Sequence, residues 1–143
     1  MVLCAQSMHI DADAQCVKSI HYRVKCGFPS PAADYTEDSL NLSEYLGFDK
    51  PSVFTFSVSG ESMINAGILD GDKVIIDRAL TPKNGDVVVA VVDAEYTLKR
   101  LVRRADGRFE LHAENPAFKP IQFAEGQSLE VWGVLIGVIR KCG

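Results

Sequence analysis

The sequence predicts a mostly β protein, built as one small domain of short, curled antiparallel sheets behind a flexible N-terminal arm. Three observations lead there. From residue 53 onward, about six or seven short runs rich in Val, Ile and aromatic residues are separated by Gly, Asp and Asn, the rhythm of strands and tight turns. The run 86–92 is almost wholly valine, as in a strand buried on both faces. Residues 1–35, by contrast, show no sustained periodicity and end in the turn-rich stretch Cys26-Gly27-Phe28-Pro29-Ser30-Pro31, whose two prolines disfavour helix and cannot donate to a ladder.

The elements follow in order. Within the arm, Tyr22, Val24 and Cys26 alternate with Arg23 and Lys25, so residues 22–26 are expected to lie extended. Residues 40–47 form a short helix candidate, with Ser39 or Asn41 as cap and Gly47 as terminator. Strands are expected over 53–58, 73–77, 86–92, 95–102, 108–112 and 129–139, and Asp93-Ala94 is expected to make the tight turn between the third and fourth. The arm is therefore assigned residues 1–35 and the domain residues 36–143. With 143 residues, the chain is long enough for one hydrophobic core and not two.

Composition narrows the function. Apolar residues at 47% and charged residues at 24% are ordinary for a globular protein. A net charge of −4 and a pI near 5.3 argue against a surface that binds DNA directly. Cys4, Cys16, Cys26 and Cys142 make no CxxC and have no histidine at metal spacing, so no metal or other cofactor is expected. Scattered cysteines without an export signal point to reduced thiols and a cytoplasmic location. The longest apolar stretch, 131–139, falls short of the ~20 residues a membrane span requires.

The segment with most chemical content is Val58-Ser59-Gly60-Glu61-Ser62-Met63. A serine after a glycine bend, at the end of an apolar strand, is well placed to present its hydroxyl. The N–H groups of such a turn, here those of Glu61 and Ser62, are placed to hold an oxyanion. Most serines in such turns only satisfy their own backbone, so the serine needs a base. His9, His21 and His112 are candidates. So is Lys99, which alternation puts on one strand face with Thr97 and Leu101. If that lysine is buried, desolvation lowers its pKa and makes it a working base. If it snorkels from an edge strand, it only blunts aggregation.

Several motifs occur together and in order: Ser59-Gly60-Glu61-Ser62-Met63, then Gly67-Ile68-Leu69-Asp70-Gly71-Asp72 with an apolar run ending at Asp77. After these come Gly85-Asp86-Val87-Val88-Val89-Ala90 and Thr97-Leu98-Lys99-Arg100-Leu101. The series closes with Glu114-Asn115-Pro116-Ala117-Phe118-Lys119-Pro120-Ile121 and Val131-Trp132-Gly133-Val134. In these motifs the chain resembles the LexA/UmuD family of self-cleaving serine peptidases. The stretch from Cys26 to Tyr35 is similar to the cleavage region of the UmuD-type mutagenesis proteins in particular. The resemblance implies a LexA-like fold, Ser62 as nucleophile, Lys99 as its general base and Cys26–Gly27 as the bond cut. It further implies stimulation by a RecA filament on single-stranded DNA in the SOS response to DNA damage. The product would be a homodimer that serves a Y-family (UmuC-like) translesion polymerase as accessory subunit.

Three other functions fit the sequence less well. A LexA-like cleavable repressor shares the peptidase body, but the stretch before Cys26 is too short for three DNA-binding helices and is not basic. A signal peptidase would need a membrane anchor. An inactive β-module that only binds partners would have no reason to retain Ser62, Lys99 and a scissile bond.

Overall fold

The computed structural model describes residues 4–7, 16–20, 24, 26–28 and 36–143. The chain divides into two compact units, one of residues 1–8 with 50–143 and one of residues 9–49.

The larger unit is a seven-stranded sheet. Its strands are β1 (Cys4–Ser7), β4 (Val53–Ser57), β5 (Lys73–Asp77), β6 (Val87–Val92), β7 (Glu95–Arg103), β8 (Phe109–His112) and β9 (Glu130–Ile139). They lie in the order β1-β4-β5-β9-β6-β7-β8, with every pairing antiparallel. The fold is mostly β, as expected, and each of the six strands anticipated from residue 53 onward lies within a residue of its expected bounds.

Inner strand β6 carries the valine run and is buried on both faces. Val87 and Val89 join Phe56, Val58, Met63, Ile68, Val74, Ile76 and Leu98 in one core cluster. Val88 and Ala90 join Leu101, Leu111 and Val134 in another. Asp93 and Ala94, at φ 48° and 62°, form the two-residue turn into β7, a left-handed pair whose twist suits a hairpin.

Strand β9 curls the sheet. Ile75 faces Gly137 while Ile76 faces Leu135, leaving Ile136 as an extra residue against β5. On the other side Val89 faces Gly133 and Ala90 faces Val131, leaving Trp132 extra against β6. Such bulges bend a strand and increase its twist. Between them the backbones approach closely at Gly133. A Cβ there would lie 2.5 Å from Ile76 Cγ2 and 3.2 Å from the Asp77 carbonyl oxygen, so only glycine fits without displacement.

The smaller unit pairs β2 (Cys16–Ile20) with β3 (Glu37–Asn41), which leads directly into α1 (Leu42–Leu46). Asn41, rather than Ser39, caps the helix, its side chain accepting from the Glu44 N–H at 3.2 Å. Gly47 ends it at φ 74°, a left-handed position natural to glycine.

Strands β1 and β2 fall within residues 1–35, and β2 pairs with Glu37–Asn41 inside the unit of residues 9–49. Both strands are short and add to another strand, so the ladder supplies the order that local propensity does not. Of the extended segment expected over 22–26, Tyr22, Arg23 and Lys25 lie outside the described residues, and Val24 and Cys26 are not in a strand.

Candidate active site

Ser62 sits on a loop whose neck is closed by two backbone bonds, Val58 N–H to the Asp72 carbonyl and Gly71 N–H to the Val58 carbonyl, each 2.8 Å. Gly60 makes the bend at φ 97°, and its N–H donates to Asp70 Oδ1 at 2.7 Å. Met63 and Ile68 are buried in the core, so the loop is pinned by apolar anchors as well as hydrogen bonds. The base of the loop carries one more fastening. Asp72, only 2% exposed, accepts from the Leu69 N–H at 2.8 Å and, through both oxygens, from Arg140 Nε and Nη2 at 2.7 Å each. These bonds outweigh the burial that opposes them and hold the Asp72 carboxyl below its usual range.

Lys99 lies in β7, paired with β6 on one side and β8 on the other. Lys99 itself faces Val88 of β6 and lies one residue short of the Arg100–Arg103 stretch that pairs with β8. It is 6% exposed, so it does not snorkel to solvent. Its Nζ donates to Ser62 Oγ at 3.0 Å, to Thr97 Oγ1 at 3.0 Å and to the Leu98 carbonyl at 3.1 Å. All three partners are neutral. Burial pushes the Lys99 amine below its usual pKa, because no anion offsets the cost of a desolvated cation.

The three contacts have a chemical consequence. A protonated amine has three N–H groups, and each finds an acceptor here. In the neutral amine, two N–H groups stay on Thr97 and Leu98 while the lone pair turns toward Ser62 and accepts its O–H. A hydroxyl hydrogen-bonded to a neutral amine in this way is an arrangement that could serve acyl transfer. The backbone N–H groups of Glu61, Ser62 and Met63 have no hydrogen-bond acceptor among the described residues, and such groups are suited to a developing oxyanion.

The other bases considered fall elsewhere. His112 Nε2 is 2.7 Å from Glu110 Oε2, a carboxylate that also accepts from Gln122 Nε2 at 3.1 Å and forms an ion pair with Arg104 Nε at 3.2 Å. His9 and His21 lie outside the described residues. Cys26 and Gly27 form an exposed bend with Phe28 in the smaller unit.

Sequence reasoning missed several supports. Thr97 was visible on the lysine's face, two residues away, but its role as a hydrogen-bond partner was not drawn. Asn115 donates through Nδ2 to the Glu61 carbonyl at 2.9 Å, across a separation of 54 residues that no local pattern spans. The Asp72–Arg140 pair is 68 residues apart and equally silent in sequence. Among the described residues no three His, Cys, Asp or Glu side chains gather as a metal site, and no helix is long and apolar enough to cross a membrane.

Comparison with known proteins agrees with this geometry. The Peptidase S24-like family model matches residues 18–136. Protein ImpA of Salmonella typhimurium is 38% identical over 119 residues, covering 83% of this chain and 80% of its own length. Protein SamA of Salmonella typhimurium strain LT2 is 40% identical over 119 residues, 83% of this chain and 81% of its own. The LexA repressor of Clostridium novyi is 40% identical over 119 residues, again 83% of this chain but 57% of its own length. With a serine and a buried lysine in contact on a curled antiparallel sheet, and this match over most of its length, the chain belongs to the Peptidase S24-like family, as a member of the UmuD type.

Proposed function

We propose that the protein is a self-cleaving peptidase in which Ser62 is the nucleophile, Lys99 the general base and the Cys26–Gly27 peptide the substrate. The observation that carries this reading is the buried 3.0 Å contact between Lys99 Nζ and Ser62 Oγ, with the amine's other bonds made to neutral acceptors. Neutral Lys99 takes the Ser62 proton as Oγ adds to the Cys26 carbonyl carbon. The N–H groups of Glu61 and Ser62 hold the resulting oxyanion. On collapse the C–N bond to Gly27 breaks, and Lys99 returns the proton to the leaving amine. Water, deprotonated by the same lysine, then hydrolyses the ester. It leaves a carboxylate on Cys26, regenerates Ser62 and releases residues 27–143.

A small residue before the bond and glycine after it allow an extended backbone to approach the serine closely. By resemblance, a RecA filament on single-stranded DNA stimulates the reaction by favouring the docked arm. The product works in the SOS response as a homodimeric accessory subunit of a Y-family translesion polymerase. Ile136, Val138 and Ile139, apolar and more than a third exposed, support an interface with a second copy.

The test is incubation of the pure protein over a pH series, followed by intact mass and N-terminal sequencing. We expect a new N-terminus at Gly27 and a rate that climbs from pH 7 to about 10 as neutral Lys99 becomes populated. Ser62→Ala and Lys99→Ala abolish cleavage and keep the fold, whereas His112→Ala cleaves nearly normally. Undiminished cleavage in Lys99→Ala would overturn the dyad.

A further inference from the structure

The peptide unit between Glu61 and Ser62 has its carbonyl end tied down and its N–H end free. Glu61 O accepts from Asn115 Nδ2 at 2.9 Å and, more loosely, from the Ile64 N–H at 3.3 Å. Because a trans peptide is planar, with C=O and N–H pointing opposite ways, fixing that carbonyl fixes the direction of the Ser62 N–H. Asn115 is itself held, its Oδ1 accepting from the Ala117 N–H at 3.0 Å and its carbonyl from the Phe118 N–H at 3.1 Å.

A second bond runs alongside, from the Asn65 N–H to the Glu114 carbonyl at 2.9 Å. The Glu114 carboxylate pairs with Arg100, the residue after Lys99 on β7, and Arg100 Nη1 donates to the Gly85 carbonyl at 2.6 Å. Residues 114 and 115 thus brace the serine turn against the strand that carries the lysine, without touching Ser62 Oγ or Lys99 Nζ.

We propose that Asn115 is a positioning residue for the oxyanion-binding peptide: its side-chain amide, by gripping the Glu61 carbonyl, aims the Ser62 N–H at the carbonyl oxygen under attack. The inference rests on the Ser62–Lys99 reading above and adds to it a residue that acts through the backbone. An oxyanion donor is worth about 10²–10³ in rate. Misaiming one while leaving it present should forfeit a smaller part, about 10- to 100-fold.

The test uses the full chain and compares self-cleavage rates across pH 7–10.5 for wild type, Ser62→Ala, Asn115→Ala and Asn115→Asp. Aspartate keeps the acceptor for Ala117 but sets a carboxylate oxygen against the Glu61 carbonyl. The expected result is cleavage at least 10-fold slower in both Asn115 variants, with the pH midpoint of the rate unchanged from wild type in Asn115→Ala, which adds no charge near Lys99. Asn115→Ser, which keeps a short polar side chain over Ala117, replaces either variant if it does not fold. Wild-type rates in the Asn115 variants overturn the inference and leave the dyad standing. A slower rate with a displaced pH midpoint in Asn115→Ala also overturns it, since that marks a general loosening around Lys99. Failure of wild type to cleave, or cleavage by Ser62→Ala, removes the dyad reading itself and this inference with it.

Discussion

Replacing Lys99 with methionine should change how stability depends on pH, and the form of that change follows from the site. Lys99 is 6% exposed, its partners are Ser62 Oγ, Thr97 Oγ1 and the Leu98 carbonyl, and burial lowers its pKa. In the unfolded chain a lysine titrates near ~10.4. Between the lowered folded value and that figure, the unfolded state binds one proton more than the folded state. Stability therefore rises with pH across this window, by at most about 1.4 kcal/mol per pH unit. Below the window both states are protonated and the full burial cost applies; above it both are neutral and the cost is gone. Lys99→Met, similar in length and without charge, lacks this dependence. The variant's stability minus that of its parent should thus be largest near neutral pH and shrink as pH rises toward 10.4. The assay is urea unfolding followed by emission of Trp132, the one tryptophan in the sequence, at steps from pH 6 to 10.5. Both proteins carry Ser62→Ala so that neither cuts itself, and other titrating groups cancel in the difference. A difference flat across pH 7–10.4 would show that folded Lys99 titrates as it does in water, which refutes the buried-base argument.

Two further outcomes are expected. Gly133→Ala, whose Cβ would lie 2.5 Å from Ile76 Cγ2 and 3.2 Å from the Asp77 carbonyl, should destabilise by about 1–3 kcal/mol; an unchanged urea midpoint would mean that β9 yields freely there. Asp72→Asn should cost about 1 kcal/mol at pH 7, a figure kept low because Arg140 faces solvent. Asp72 has a folded pKa below its unfolded value, so its stabilisation is present above the unfolded value of ~3.9 and lost as pH falls through the folded one. The gap from wild type in urea unfolding should accordingly narrow in acid, and a gap constant from pH 7 to 2.5 would contradict the Asp72–Arg140 assignment.

Much was determined by the sequence alone. Burial on both faces of β6 was legible because an unbroken valine run has no polar face to turn outward. The Asp93-Ala94 hairpin was legible because a two-residue gap between β-patterned runs leaves the chain few ways to reverse. Ser62 and Lys99 were weak candidates on local pattern alone, since serines are common in glycine turns and a strand lysine can snorkel; the shared set of motifs singled them out. Tertiary structure decided the rest. Whether Lys99 was exposed or buried turned on what packs around it, including a Ser62 hydroxyl 37 residues away in the chain, which alternation within one strand cannot reveal. Strands β1 and β2 carry little propensity of their own and are ordered by ladders to β4 and β3. Asn115, Asp72 and Arg140 reach the serine loop across 54 and 68 residues of chain. Their roles come from hydrogen-bond geometry, which exists only once the sheet has curled and brought the ends of its strands beside the loop.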